Sequence, residues 1–100
     1  MKITKNENNE KITVSIEGRL DKISSPTLEE ELKPEVEKNK DIVIDCANLE
    51  YISSAGLRIL VACEKQLKAK SKSLQLINVN EDVMTILQVT GFVYILNIKG

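Results

Sequence analysis

Ile42-Val43-Ile44-Asp45, continued by Cys46-Ala47-Asn48-Leu49-Glu50-Tyr51-Ile52-Ser53-Ser54-Ala55-Gly56-Leu57-Arg58-Ile59-Leu60, is the stretch on which the fold of this chain turns. Ile42 to Ile44 is a β-branched run, apolar on both faces, which suits a central strand. The residues after Asp45 read as an ordered loop approaching a helix. From Ala55 to about Lys68, Leu57, Leu60, Val61 and Leu67 recur at helical spacing and define one apolar face. A strand, a loop and a helix in that order call for a right-handed crossover onto a parallel sheet.

Upstream, Ile3 begins a short strand, and Lys11 to Ile16 alternates, with Ile12, Val14 and Ile16 on one face. The polar run Asn6 to Glu10 between them reads as a turn, so an antiparallel hairpin opens the chain. Gly18-Arg19-Leu20-Asp21 is expected to end that strand. Ser24-Ser25-Pro26 then supplies a serine cap with proline at the first helical position, and Leu28, Leu32 and Val36 form the inward stripe. Pro34 removes a helical hydrogen bond and is expected to kink or shorten the last turn. Downstream, Leu74, Leu76 and Val79 mark another strand. Asn80 caps a third helix carrying Val83, Ile86 and Leu87, and Gly91 ends it. Phe92 to Ile98 alternates and reads as a last strand. The order is β-β-α-β-α-β-α-β: a single α/β domain over residues 1–100, with a mixed, mostly parallel sheet and an N-terminal antiparallel hairpin. The helix N-termini should share one rim, where Asp21, Ser53 and Ser54 fall.

Composition narrows the function. One hundred residues make one domain, and 42% hydrophobic with 29% charged residues is a globular balance. The aromatic share of 3% leaves almost no stacking platforms for single-stranded nucleic acid, and a net charge of -1 gives no footprint for DNA or anionic lipid. No nucleic acid or membrane partner is expected. There is no His, which removes the usual general base and the commonest zinc ligand, so neither a metal nor a cofactor is expected. Cys46 and Cys63 lack redox or zinc-knuckle spacing and read as small buried hydrophobes, fitting a reducing cytoplasm. The N-terminus has no apolar signal segment, and the uncharged span Val83 to Ile98 falls short of the ~20 apolar residues that cross a bilayer.

The chemistry concentrates at the start of the central helix. That place offers unpaired backbone donors and the positive end of a helix dipole, roughly half an elementary charge, so a phosphoryl group on Ser54 would be tolerated without refolding. The plainer reading is that Ser53 and Ser54 only cap the helix, worth about 1 kcal/mol. Asp21 reads equally as a turn residue. Arg58 stands one helical turn after Ser54, where its guanidinium faces either a phosphate or solvent. Gly56 and Leu57 read as packing residues. No Gly-x-x-x-x-Gly-Lys loop or other glycine cluster cradles a nucleotide, which argues against a small nucleotide-binding or catalytic protein built on Asp21, Asp45 and Ser54.

In element order, and in Gly18-Arg19-Leu20-Asp21, Ile42-Val43-Ile44-Asp45 and Ile52-Ser53-Ser54-Ala55-Gly56-Leu57, nearly the whole chain resembles the STAS domain, most closely the stand-alone bacterial anti-sigma factor antagonists. The resemblance implies a partner-switching protein that is not an enzyme. It implies phosphorylation on Ser54, two before the motif glycine, with Ser53 as the alternative because many members have Asp there. Asp21 matches the acid that the family places across the rim. The implied partner surface is Asp21, Ser53, Ser54, Ala55 and Arg58. The implied partners are an anti-sigma factor serine kinase, which holds the ATP and magnesium, and a phosphatase that resets the serine. Such a protein, when unmodified, displaces a sigma factor and so regulates transcription. The alternative within the family is a STAS subunit of a lipid-transport or sensory scaffold complex, bound constitutively. The chain stops soon after its last expected strand, without the terminal helix many members carry, so an open sheet edge is expected.

Overall fold

The computed structural model describes residues 1–99. An antiparallel hairpin of β1 (Lys2–Glu7) and β2 (Lys11–Leu20) leads through α1 (Ser25–Val36) to β3 (Asp41–Asp45). A short β4 (Leu49–Ile52) precedes α2 (Ser54–Ala69), followed by β5 (Leu74–Ile77), α3 (Glu81–Thr90), a 3-10 turn at Phe92–Tyr94 and β6 (Asn97–Lys99). The main sheet runs β1-β2-β3-β5-β6, parallel except for the first pair, and β4 adds to β2. This is the α/β domain expected from the sequence, with one strand more.

β3 is central, between β2 and β5, and its Ile42 and Ile44 are fully enclosed. Ile12, Val14 and Ile16 of β2 meet the same core, as do Leu74 and Leu76 of β5. The helices close it with Leu28, Leu32 and Val36 from α1, Leu57, Leu60 and Leu67 from α2, and Val83 and Leu87 from α3. Each such side chain contributes about 1.5–3 kcal/mol by leaving water, which is ample to specify which face of each element turns inward.

Three local expectations, in the segment after Asp45, after Gly91 and at Val79, differ from the structure. β2 itself ends at Leu20, within the Gly18–Asp21 segment expected to end it, and Gly18, at φ +96°, absorbs a register shift as a bulge. The strand's first half pairs with β3 and its last three residues with β4. The segment after Asp45 is a loop only through Asn48; Leu49 and Ile52 are buried and their strand lies parallel to the end of β2. The alternation after Gly91 is not a continuous strand. Gly91 is left-handed, at φ +80°, and the chain tightens into a 3-10 turn, with Ile95 N donating to Phe92 O at 3.0 Å, so that only residues 97–99 reach the sheet. Val79 lies beyond β5, which ends at Ile77. Pro34 sits in the last turn of α1, which stops at Val36. Asn80 caps α3 through Val83 N at 2.9 Å, as its position predicts.

Candidate functional site

The rim of the sheet is assembled by the β2–β4 pair. Leu20 and Ile52 are register partners, and Ser53 N donates to Leu20 O at 2.8 Å, which sets Ser53 beside Asp21. Ser53 is the N-cap of α2: it is extended at φ -89°, ψ 169°, and its Oγ accepts from Gly56 N at 3.2 Å. Ser54 is the first helical residue. It is exposed, and its hydroxyl has no hydrogen-bond partner among the described residues. The two serines therefore divide the labour: one oxygen holds the helix start while the next is open to solvent. No acidic side chain of α2 itself occupies its first turn. α3 differs in placing Glu81 and Asp82 at the same position.

Close packing fixes where the hydroxyl sits. A β-carbon on Gly56 would lie 2.6 Å from Leu20 Cγ and 3.3 Å from Ile52 Cγ1, so the helix start rests against the ends of both rim strands. Ala55 is half-buried, and Arg58 is exposed one turn along. Arg58 has no ion-pair partner among the described residues.

Asp21 builds the β2–α1 turn. Its Oδ1 accepts from Ile23 N and Ser24 N, each at 3.0 Å, while Ser25 N donates to Asp21 O at 2.9 Å. A serine cap was expected directly before Pro26 as the first helical residue, but α1 begins one residue earlier, at Ser25, and its N-cap Ser24 makes no side-chain cap bond. Instead its Oγ donates to Arg19 O at 2.8 Å and accepts from Asp21 N at 2.9 Å, and Ser24 itself has helical backbone angles. The hydrogen bond from the Ser24 amide is the main reason the Asp21 carboxyl lies below the usual carboxylate range; its bonds with the Ser24 hydroxyl and Ile23 amide and the nearby Arg19 charge add to this against the cost of desolvation. The turn reading of Asp21 is thus its observed structural role.

Two features of the rim went unread in the sequence. Arg19 and Tyr51 are register partners, and the guanidinium lies 4.3 Å from the ring centroid. Ile23 is 88% exposed at the turn that Asp21 organises. The pairing signal for Arg19 is invisible without β4, and a lone apolar residue in a loop carries no periodicity.

Asp45 is not gathered into this site. Its Oδ1 accepts from Ala47 N and Asn78 Nδ2, both at 3.0 Å, bracing the loop between β3 and β4. Asp21, Asp45 and Ser54 accordingly form no common cluster of hydrogen bonds. Cys46 and Cys63 are buried free thiols, pushed up by burial to about 12 and about 11, with Asp45 and Glu64 adding to the respective effects. Among the described residues, no group of three or more His, Cys, Asp or Glu is placed to hold a metal ion, and no helix is long and apolar enough to cross a membrane.

Comparison with known proteins adds four findings. A family model described as "Mlab, STAS domain" matches residues 3–96. The chain is 34% identical over 98 residues to the anti-sigma-B factor antagonist of Bacillus subtilis (strain 168), covering 98% of this chain and 88% of the relative. Among solved structures, an anti-sigma factor antagonist from Mycobacterium paratuberculosis superposes with a TM-score of 0.85 at 21% identity, covering 97% of this chain and 83% of that one. The Bacillus cell fate determinant SpoIIAA in its phosphorylated form superposes with a TM-score of 0.74 at 14% identity, covering 99% of this chain and 92% of that one. At such identities the structural likeness is one of fold.

Proposed function

The chain belongs to the STAS domain family, and from that premise we propose that it is an anti-sigma factor antagonist: a cytoplasmic regulatory protein, not an enzyme, switched by phosphorylation of Ser54. Support comes first from the relative in Bacillus subtilis, which bears that function in its name and aligns along nearly the whole chain. The single observation that carries the switch is local: the Ser54 hydroxyl is exposed and unbonded at the first position of α2, while Ser53 Oγ is already engaged with Gly56 N.

Unmodified, the rim of Asp21, Ser53, Ser54, Ala55 and Arg58 docks on a serine-kinase anti-sigma factor, which releases its sigma factor. The partner holds ATP and magnesium and transfers the γ-phosphoryl group to Ser54 Oγ. The serine proton leaves, the bond between the γ-phosphorus and its bridging oxygen breaks, and ADP departs. The product brings about -1.5 to -2 charges and three acceptor oxygens to the helix dipole's positive end, so α2 keeps its place. An interface matched to a hydroxyl then meets an anion. A loss of ~3 kcal/mol lowers affinity more than a hundredfold, enough to exchange partners. A phosphatase returns the serine.

The test is reconstitution. The ATPase that co-purifies with the wild-type chain from its native cell is incubated with ATP, magnesium and wild-type, Ser54→Ala or Ser53→Ala protein, and intact mass is recorded. One phosphoryl group on wild-type and on Ser53→Ala, with none on Ser54→Ala, is expected. Modification of Ser54→Ala moves the acceptor to Ser53. Absence of modification in all three, with tight binding to a transporter ATPase, replaces the switch by a constitutive scaffold.

A further inference from the structure

Isolated exposed apolar residues are ordinary on protein surfaces. Ile23 stands apart because of how it is held. Turn positions favour Gly, Pro, Asn, Asp and Ser, each for a backbone reason, and a β-branched residue offers none of these. Yet the turn around Ile23 is braced at both ends. Its own amide donates to Asp21 Oδ1, Ser24 N donates to the same oxygen, and Ser24 Oγ ties the turn to Arg19 O. Lys22 and Ile23 are thereby exposed at a fixed turn, and the Ile23 side chain is 88% exposed. Fixing such a turn in advance lowers the entropy cost of binding.

The same turn carries a charge. Oδ1 of Asp21 is consumed by the turn, whereas Oδ2 has no hydrogen-bond partner among the described residues. An apolar side chain therefore stands two residues from a carboxylate with a free oxygen, beside the Ser53–Ser54 helix start through the Ser53 N to Leu20 O bond.

We infer that Ile23 is an anchor of the docking surface, seated in an apolar cleft of the ATPase partner that is bordered by a cationic side chain facing Asp21. This rests on the antagonist reading above and adds a division within it. The anchor supplies affinity that is indifferent to the state of Ser54, and the hydroxyl supplies the part that phosphorylation removes. A switch needs both, since a surface made only of the sensitive part would bind weakly before modification.

The experiment is calorimetric titration of the protein that wild-type chain retains from native-cell lysate, afterwards expressed and purified, against wild-type, Ile23→Ala, Ile23→Asp, Asp21→Asn and Ser54→Asp chains. Ile23→Ala should weaken binding roughly tenfold and Ile23→Asp about a hundredfold, with unchanged thermal midpoints because the side chain is exposed. Asp21→Asn keeps the turn, since Asn makes the same Asx hydrogen bonds, and should weaken binding with a flatter salt dependence. Unchanged affinity in Ile23→Asp overturns the anchor. Weakening in the Ile23 variants with none in Ser54→Asp keeps the anchor and removes the switch; the reverse keeps the switch and removes the anchor. If wild-type chain retains no partner, both fall.

Discussion

Leu20 occupies the space that a β-carbon on Gly56 would need: an ideal Cβ there would fall 2.6 Å from Leu20 Cγ and 2.9 Å from its Cδ2. Leu20 is fully buried, and Cγ is not a free chain end, so relief requires α2 to lift or the leucine to leave its rotamer. Overpacking of this kind costs about 1–3 kcal/mol, against the ~1 kcal/mol that Ala gains over Gly within a helix. Gly56→Ala is therefore expected to lose stability, by up to ~2 kcal/mol in urea denaturation, despite its better helix propensity. A variant as stable as wild-type would show that the helix start is not wedged against the rim.

The two serines should separate by stability alone. Ser53→Ala removes an N-cap bond and should cost about 1 kcal/mol, whereas Ser53→Asp should be close to neutral because aspartate caps equally well and complements the dipole. Ser54→Ala touches an exposed, unbonded hydroxyl and should stay within about 0.5 kcal/mol of wild-type. Chemical denaturation of the three variants checks the ranking. A larger loss in Ser54→Ala than in Ser53→Ala would reverse the assignment of cap and open hydroxyl.

Acid should unfold the protein through the ion pairs that fasten β1 to the end of α1. Lys38 Nζ reaches Glu7 at 2.8 Å and Glu35 at 2.9 Å, while Lys5 meets the other oxygen of Glu35 at 2.9 Å and Lys40 the other oxygen of Glu7 at 2.6 Å. The hydrogen bond from Lys38, then that from Lys40, brings the Glu7 carboxyl down to about 2. Burial pushes Glu35 up, but its hydrogen bonds with Lys5 and Lys38 outweigh it and the net direction is down. Carboxyls lowered on folding stabilise above their ordinary range and lose that contribution as pH falls. The thermal midpoint should thus be flat between about pH 5 and 8 and fall between about pH 5 and 2. Lys38→Met should flatten that fall, and an identical acid profile in the variant would remove the network as its cause.

The cysteines should be silent in the native state. With both thiols buried and raised to about 12 and about 11, thiolate is scarce at neutral pH, so a disulfide-exchange reagent should label neither until denaturant is added, and then both. Fast labelling of the folded protein would contradict their placement in the core.

Much of the fold was legible because its signals are local. Ile42 to Ile44 announced a central strand, and Leu57, Leu60 and Leu67 announced the inward face of α2; all are buried. β4 was missed for a physical reason: only four residues long, it exists through pairing with Arg19 and Leu20, beyond a bulge that sequence patterning cannot register. Phe92, Tyr94, Leu96 and Ile98 mimic strand alternation, but the left-handed Gly91 turns the chain first, leaving Tyr94 90% exposed and only Leu96 fully in the core. At the site, spacing indicated the helix start but not which serine oxygen would be spent on the cap. That depends on the extended backbone of Ser53, set by its bond to Leu20.

The bulge at Gly18 makes β2 a strand with two employers, β3 below and β4 above. One continuous backbone thus mounts the upper storey, which bears the helix start and the Asp21 turn, directly on the lower one, and Leu20 and Ile52 share a single buried floor with Ile12 and Ile44.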